Sequence, residues 1–136
     1  MNLYQTRSRK LSGTSYSEII KKARLVFHSI EKRSKRTAYL KSPYFNKEKI
    51  FLNLFWDHLN QKHQRERKCR LKFLPCAFEL IENSRNKPVS KPNPNDKTEI
   101  LHRFGGLTPD STLFYVQIKE NIKTGRKDFM SVFMSE

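Results

Sequence analysis

Apolar residues recur at helical spacing in the first part of the chain. Ser15 followed by Glu18 is a capping-box pattern, in which each side chain satisfies a backbone N–H at the start of a helix. The apolar positions that follow repeat every three or four residues: Ile19, Ile20, Ala23, Val26, Phe27 and Ile30. This spacing predicts an amphipathic helix from Ser15 to about Arg33. Residues 1 to 13 are polar and basic with no apolar period, so we predict a flexible basic arm there.

Two further helices are predicted before residue 84. Asn46 is a suitable N-cap for a helix whose wide apolar face comprises Ile50, Phe51, Leu54, Phe55 and Leu59. A third helical stretch runs from about Leu71 to Asn83, where Pro75 either starts a helix or kinks one. The helical part of the chain is thus residues 15 to 83. Residues 84 to 97 contain three prolines and almost nothing apolar, which predicts a long loop.

The apolar period changes to two after Thr98. Phe114, Val116 and Ile118 alternate with polar residues, as in half-buried strands. Gly105-Gly106 and Thr124-Gly125-Arg126 supply two turns, which predicts a three-stranded antiparallel meander over residues 98 to 134. The expected fold class is α+β: a single domain over residues 14 to 136, with N-terminal helices packed on a C-terminal antiparallel sheet.

Positive charge changes the functional picture. The chain of 136 residues has 28 Lys and Arg against 13 Asp and Glu, a formal net charge of +15. Residues 1 to 95 hold 22 of the cations and 7 of the acids, whereas residues 96 to 136 hold 6 of each. Such a field attracts polyanions, so RNA is the expected partner, although Lys and Arg also simply solubilise helix faces. The densest cluster is Arg65, Arg67, Lys68, Arg70 and Lys72, which we predict to bind phosphates.

Several classes of protein are excluded by what the sequence lacks. It has no run of about 18 apolar residues, and no apolar segment follows its N-terminal basic residues, so we expect a cytoplasmic protein without a membrane partner. It has no P-loop, dinucleotide fingerprint or familiar zinc spacing, so we predict neither a cofactor nor a metal site.

Alternation in the C-terminal half also gathers polar side chains. If Phe114, Val116 and Ile118 pack on the helices, then Tyr115, Gln117 and Lys119 face outward. His102 from the preceding strand and Ser131 from the following strand are expected to approach the same area, although sequence does not fix the register.

Those side chains suit RNA cleavage without a metal. The reaction needs a group that transfers protons and cations that stabilise the charge on the scissile phosphate. His102, Arg103, Lys119 and Ser131 are residues of the required types. In the alternative interpretation Arg103 only pairs with an acidic neighbour, Lys119 is solvated and Ser131 fills space.

Three segments carry a resemblance to a known family. Leu101-His-Arg-Phe, Phe114-Tyr-Val-Gln-Ile-Lys-Glu and Gly125-Arg-Lys-Asp-Phe-Met-Ser-Val-Phe133 resemble the phage-type nucleases of the barnase/EndoU/colicin/RelE superfold (PBECR-like). The basic stretch from Arg67 to Pro75 is similar to the helix that precedes the sheet in such proteins, so the resemblance covers about the last half of the chain.

The resemblance implies an activity and roles for particular residues. The implied activity is metal-independent RNA cleavage, in which Lys119 and Arg103 stabilise the phosphate, His102 transfers protons and Ser131 positions the substrate. His58, Arg70 and Lys72 are second-rank candidates from the helical region. The sheet has no second well-placed histidine, so the acid and the base are not assigned.

The sequence thus predicts a metal-independent endoribonuclease of a mobile-element or toxin type. Proteins of that type can have an antitoxin or immunity protein as a partner, so such a protein is a second expected partner besides RNA. The alternative is a non-catalytic nucleic-acid-binding protein that uses the same surface, with Tyr115 and Phe129 available to stack on bases. A third interpretation is an adaptor whose Pro-rich loop and exposed edge strand bind another protein.

Overall fold

The computed structural model describes residues 2 to 135 and consists of four helices and seven strands in that part of the chain. The elements follow one another as β1 (Tyr4–Gln5), α1 (Tyr16–Glu31), β2 (Tyr39–Ser42), β3 (Glu48–Phe51), α2 (Leu54–Leu59), α3 (Gln64–Lys72), α4 (Leu74–Asn83), β4 (Val89–Asn93), β5 (Asp96–Leu107), β6 (Leu113–Asn121) and β7 (Lys127–Met134). The fold is α+β, which confirms the predicted class.

Helix α1 is the element that the sequence predicts best. The Glu18 N–H donates a hydrogen bond to the Ser15 hydroxyl over 3.2 Å, so the predicted cap is present. The buried residues Ile19, Ala23 and Phe27 lie on one face of the helix, as their spacing requires. Pro75 lies in the first turn of α4, where its missing N–H costs no hydrogen bond.

The seven strands form one mixed sheet in the order β1-β5-β6-β7-β3-β2, with β4 also paired to β5. Strands β5, β6 and β7 pair antiparallel in chain order, and so do the β2–β3 and β4–β5 pairs. The β1–β5 and β3–β7 pairs are parallel. The sheet is therefore larger than the predicted three-stranded antiparallel meander over residues 98 to 134: four of its strands lie outside that segment, and β5 begins two residues before it.

Strand β3 lies where the sequence predicts the start of a helix, so that prediction is wrong for Glu48–Phe51. Ile50 and Phe51 pair in parallel with Lys127 and Asp128, more than 70 residues later in the chain. Ile50 is fully buried on the inner face of the sheet. Only the second part of the predicted helix is helical, as α2, because contacts distant in sequence override the local pattern.

The predicted loop over residues 84 to 97 is also wrong in its second half. Strand β4 pairs antiparallel with β5 from Val89 onward, and its one proline, Pro92, lies opposite Ile100. Proline lacks an N–H and is tolerated in an edge strand, whose outer side has no neighbouring strand to receive that bond.

Gly105 and Gly106 lie inside β5, so no turn occurs there. A Cβ on Gly106 would stand 2.6 Å from Cε1 of Phe114 and 3.0 Å from Cδ1 of Leu80. The glycine is required because the Phe114 ring packs directly on the backbone of β5. The chain turns instead between Thr108 and Thr112, which share a backbone hydrogen bond of 3.0 Å.

The segment predicted to be a flexible arm contains β1 and is fastened to α4. The Tyr4 hydroxyl donates to Glu79 over 2.8 Å, and the backbone N–H groups of Arg7 and Ser8 donate to the same carboxylate over 3.0 and 2.7 Å. Burial and the bond to Glu79 raise the pKa of Tyr4 to about 12. Burial alone would raise the pKa of Glu79, but these hydrogen bonds outweigh it and lower the pKa.

The core lies between the inner face of the sheet and the helices. Phe129 is fully buried and stacks on Phe55 with ring centroids 4.9 Å apart, while Phe73 stacks on Phe114 at 5.5 Å. Phe129 is therefore not available to stack on a base, contrary to the prediction. None of the helices in residues 2 to 135 has the length and apolar character needed to cross a membrane.

Candidate nucleic-acid interface

The side of the sheet opposite the core, which we call the outer face, carries the polar row of β6. Phe114, Val116 and Ile118 are at most 1% exposed, whereas Tyr115 and its alternate neighbours along the strand are half-buried. The predicted alternation is confirmed. It places Tyr115, Gln117 and Lys119 on the outer face.

Strand register brings three of the four predicted catalytic residues to that face. Arg103 of β5 and Ser131 of β7 both lie opposite Gln117, so the three residues form a row across three strands. Arg103 Nη2 donates to Gln117 Oε1 over 3.4 Å. Lys119 lies two residues further along β6, and its Nζ is 3.2 Å from Oε2 of Glu99.

His102 does not reach the outer face, so its predicted place in the site is wrong. It lies opposite Ile118 and is 8% exposed on the inner side of the sheet. Its Nδ1 is 2.6 Å from the Ser90 hydroxyl and its Nε2 is 2.7 Å from Glu120 Oε1. The Phe45 ring packs against the imidazole at 5.0 Å. Both ring nitrogens are thus occupied, and His102 cannot transfer a proton to a substrate on the opposite face.

Half-buried aromatic rings cross the outer face, each with a cation above it. We call this set the aromatic stripe; its members are Tyr115 of β6, Phe133 of β7, Phe51 of β3 and Tyr39 of β2. The guanidinium of Arg103 is 5.7 Å from the Tyr115 ring centroid and 5.1 Å from that of Phe133.

The same arrangement continues toward β2. The Arg126 guanidinium lies 4.3 Å from the Phe51 ring and the Lys49 ammonium lies 4.6 Å from the Tyr39 ring. Cations over aromatic faces are attracted to the negative charge of the π system. The sequence does not point to these two rings, because its helical spacing places Phe51 in a helix and none of the predicted elements includes Tyr39.

The predicted basic cluster on α3 does not act as one surface. Arg67 donates to the backbone carbonyls of Lys62 and Asn60, and Lys68 donates to the carbonyl of Thr14, so these two cations hold loops together. Only Arg70 reaches the stripe, with its guanidinium 5.6 Å from the Phe133 ring. Positions along a helix point in directions about 100° apart, so near neighbours in sequence separate in space.

The other members of that cluster have different surroundings. Arg65 is exposed, and Lys72 is half-buried with its backbone carbonyl bound to the Leu11 N–H. Arg70 also bonds to Glu66, which lies 2.8 Å away and partly neutralises it. The phosphate-binding role predicted for the five cations therefore stays a prediction for Arg65, Arg70 and Lys72, whose side chains donate to no backbone carbonyl among the described residues.

His58 of α2 is the histidine that feels the charges of the outer face. Burial lowers the pKa of His58, and the positive charges of Lys62, Lys119 and Arg70 lower it further, whereas the negative charge of Asp57 raises it. The imidazole is therefore neutral at pH 7 and able to accept a proton.

Comparison with models of protein families, with curated proteins and with solved structures gives no match to this chain. Within residues 2 to 135 no three His, Cys, Asp or Glu side chains are grouped so as to hold a metal ion.

Proposed function

We propose that the outer face binds single-stranded RNA. The observation that carries this proposal is the aromatic stripe, whose half-exposed rings each lie beside a cation. Single-stranded nucleic acids are bound by aromatic side chains that stack on bases and by cations that contact the backbone. A base can take the place of a cation on a ring while that cation moves to a neighbouring phosphate.

The surroundings of Arg103 support this proposal. Arg103 is exposed and forms no salt bridge within residues 2 to 135, unlike Lys119 and Arg126, which pair with Glu99 and Asp128. A cleft of about 200 Å³ opens beside it between β4 and the outer face, with Val89, Pro92, Leu101 and Gln117 among its lining residues. The apolar walls of the cleft suit a base, and the guanidinium of Arg103 suits a phosphate.

Binding is tested with a labelled single strand and a labelled duplex of RNA. We expect tighter binding of the single strand, because unpaired bases expose the faces that the stripe stacks on. Affinity for both should fall with salt, since the net charge of +15 contributes to attraction without regard to base stacking. Equal affinity for single-stranded and duplex RNA would refute stacking on the stripe and would be explained by electrostatic attraction alone.

Metal-independent RNA cleavage is the second candidate function, favoured by the lowered pKa of His58, to which the positive charges of Lys119 and Arg70 contribute. In this reaction His58 accepts the proton of the 2′-hydroxyl as that oxygen bonds to phosphorus, and the bond from phosphorus to the 5′-oxygen breaks while water protonates the leaving oxygen. Lys119 and Arg103 stabilise the negative charge on the phosphate, and Ser131 positions the substrate. The resemblance of the last half of the chain to phage-type nucleases supports the same reaction. In this proposal His58 takes the proton-transfer role that the sequence assigned to His102.

Cleavage is tested on labelled RNA in the presence of EDTA. Lys119→Ala should lower the rate by a factor of about 10² to 10³, the usual loss for a preorganised charge donor. Lys123→Ala removes an exposed cation after β6 and should change little. His58→Ala should abolish the rise in rate as pH increases through the lowered pKa of that group. If the wild-type protein binds RNA without cutting it, the binding function alone stands.

A further inference from the structure

A groove of about 710 Å³ lies in the helical layer, between α1 and the start of α2. Leu25, Phe27 and Trp56 give it an apolar floor, and Lys21 and Arg24 are among its polar lining residues. Leu25 is 70% exposed, the most of any large apolar side chain in residues 2 to 135. It lies off the buried stripe of α1, so the core does not explain an apolar residue at this position.

The composition of the groove is typical of a protein-binding surface. Trp56 contacts Phe27 edge to face at 5.4 Å, and the Arg24 guanidinium lies 5.0 Å from the Trp56 ring. Tryptophan and arginine are enriched among the residues that contribute most to protein association. The volume of the groove also lies within the range of about 300 to 1,000 Å³ that is typical of ligand-binding pockets.

We propose that this groove binds an acidic amphipathic helix of a partner protein. Apolar side chains of that helix pack on Leu25, Phe27 and Trp56, and its carboxylates pair with Lys21 and Arg24. Helix-in-groove recognition uses such anchors at i, i+3, i+4 and i+7. The proposal is independent of RNA binding, because no lining residue of the groove belongs to the outer face.

Charge selects this occupant over the two others that the molecule suggests. A second copy of the chain would bring another +15 against the first, which opposes association. RNA would contact an apolar floor that interacts poorly with phosphate, where Glu31, 3.4 Å from His28, adds a negative charge to the cations Lys21 and Arg24. An acidic helix complements both the apolar floor and the positive charge.

Trp56 makes the test direct, because it is the only tryptophan of the chain. The probe is a synthetic helical peptide of about 20 residues, long enough to form a helix, with Leu on one face and Glu on the other. We expect a saturable change in Trp56 fluorescence. Leu25→Asp should weaken binding roughly tenfold to a hundredfold, the effect of losing one buried leucine contact. Ile122→Asp is the control, since Ile122 is 55% exposed after β6, away from the groove.

Two control peptides separate the components of the proposal. A peptide with Ser in place of Leu keeps the charge and should not bind, and one with Lys in place of Glu keeps the apolar face and should bind more weakly. Absence of a saturable Trp56 signal, or equal binding of either control peptide, would overturn the proposal. So would self-association of the protein alone that Leu25→Asp abolishes, since a second copy would then be the occupant.

Discussion

The aromatic stripe predicts that stacking and charge contribute separately to RNA affinity. The perturbations are Phe133→Leu, which removes a ring but keeps an apolar side chain, and Arg103→Gln, which removes a charge but keeps a polar one. Phe133 is the ring with two cations near it, because the Arg103 and Arg70 guanidinium groups lie 5.1 and 5.6 Å from its centroid. A base that stacks on Phe133 would therefore have its neighbouring phosphates within reach of both guanidinium groups.

The two substitutions should have different signatures. A base stacked on an aromatic ring contributes about 1 to 3 kcal/mol, so Phe133→Leu should weaken binding roughly 5-fold to 150-fold at every salt concentration. Each phosphate contact of a single strand contributes about 0.7 to the slope of log affinity against log salt. Arg103→Gln should therefore reduce that slope by about 0.7, whereas Phe133→Leu should leave it unchanged.

Fluorescence anisotropy of a labelled single strand over a series of salt concentrations measures both quantities. Tyr16→Leu is the matched control, because Tyr16 is a half-buried aromatic residue at the start of α1 and does not belong to the stripe. Thermal unfolding of each variant checks that the fold is kept. An unchanged affinity for Phe133→Leu in a folded protein would refute the stacking argument, and an unchanged slope for Arg103→Gln would refute its contact with a phosphate.

Three further predictions concern the fold itself. Gly106→Ala should lower the free energy of unfolding by about 1 to 3 kcal/mol, because the new methyl group would lie 2.6 Å from Cε1 of Phe114; an unchanged denaturant midpoint would contradict this packing. Tyr4 should titrate near pH 12 in an absorbance titration, and Tyr4→Phe should remove that step. Since the folded-state pKa of this phenol lies above its ordinary 10.0, its contribution to stability is present below pH 10.0 and is lost as pH rises through about 12. Burial raises the pKa of the Cys76 thiol to about 11. A thiol reagent at pH 8 should therefore label the exposed Cys69, and should label Cys76 only when the protein unfolds.

The sequence predicts those parts of the fold that depend on near neighbours. The capping box at Ser15 and the helical spacing after it define α1 because both signals lie within one helix. Alternation along β6 gives its two faces for the same reason. Strand β3 was assigned to a helix because its parallel pairing with Lys127 and Asp128 leaves no local trace.

The candidate site was predicted in part for a related reason. Arg103 and Ser131 both face outward because the β5–β6 and β6–β7 registers place them opposite Gln117. His102 is next to Arg103 in sequence, and adjacent residues of a strand point to opposite faces of the sheet. Because Arg103 lies on the outer face, His102 lies on the inner face. A register fixed by contacts between strands is not encoded in any single segment.

The pairing of β1 with β5 has a consequence for how the protein is made. Gln5 and Leu107 are 102 residues apart, yet they are bonded neighbours in the sheet. During synthesis β1 stays unpaired until β5 has left the ribosome, and Glu79 of α4, whose carboxylate binds the segment after β1, is made more than 70 residues after Tyr4. Contacts so distant in sequence slow folding, since a long loop must close before they form. A partner that recognises the folded outer face can therefore bind only after β5, β6 and β7 have been synthesised.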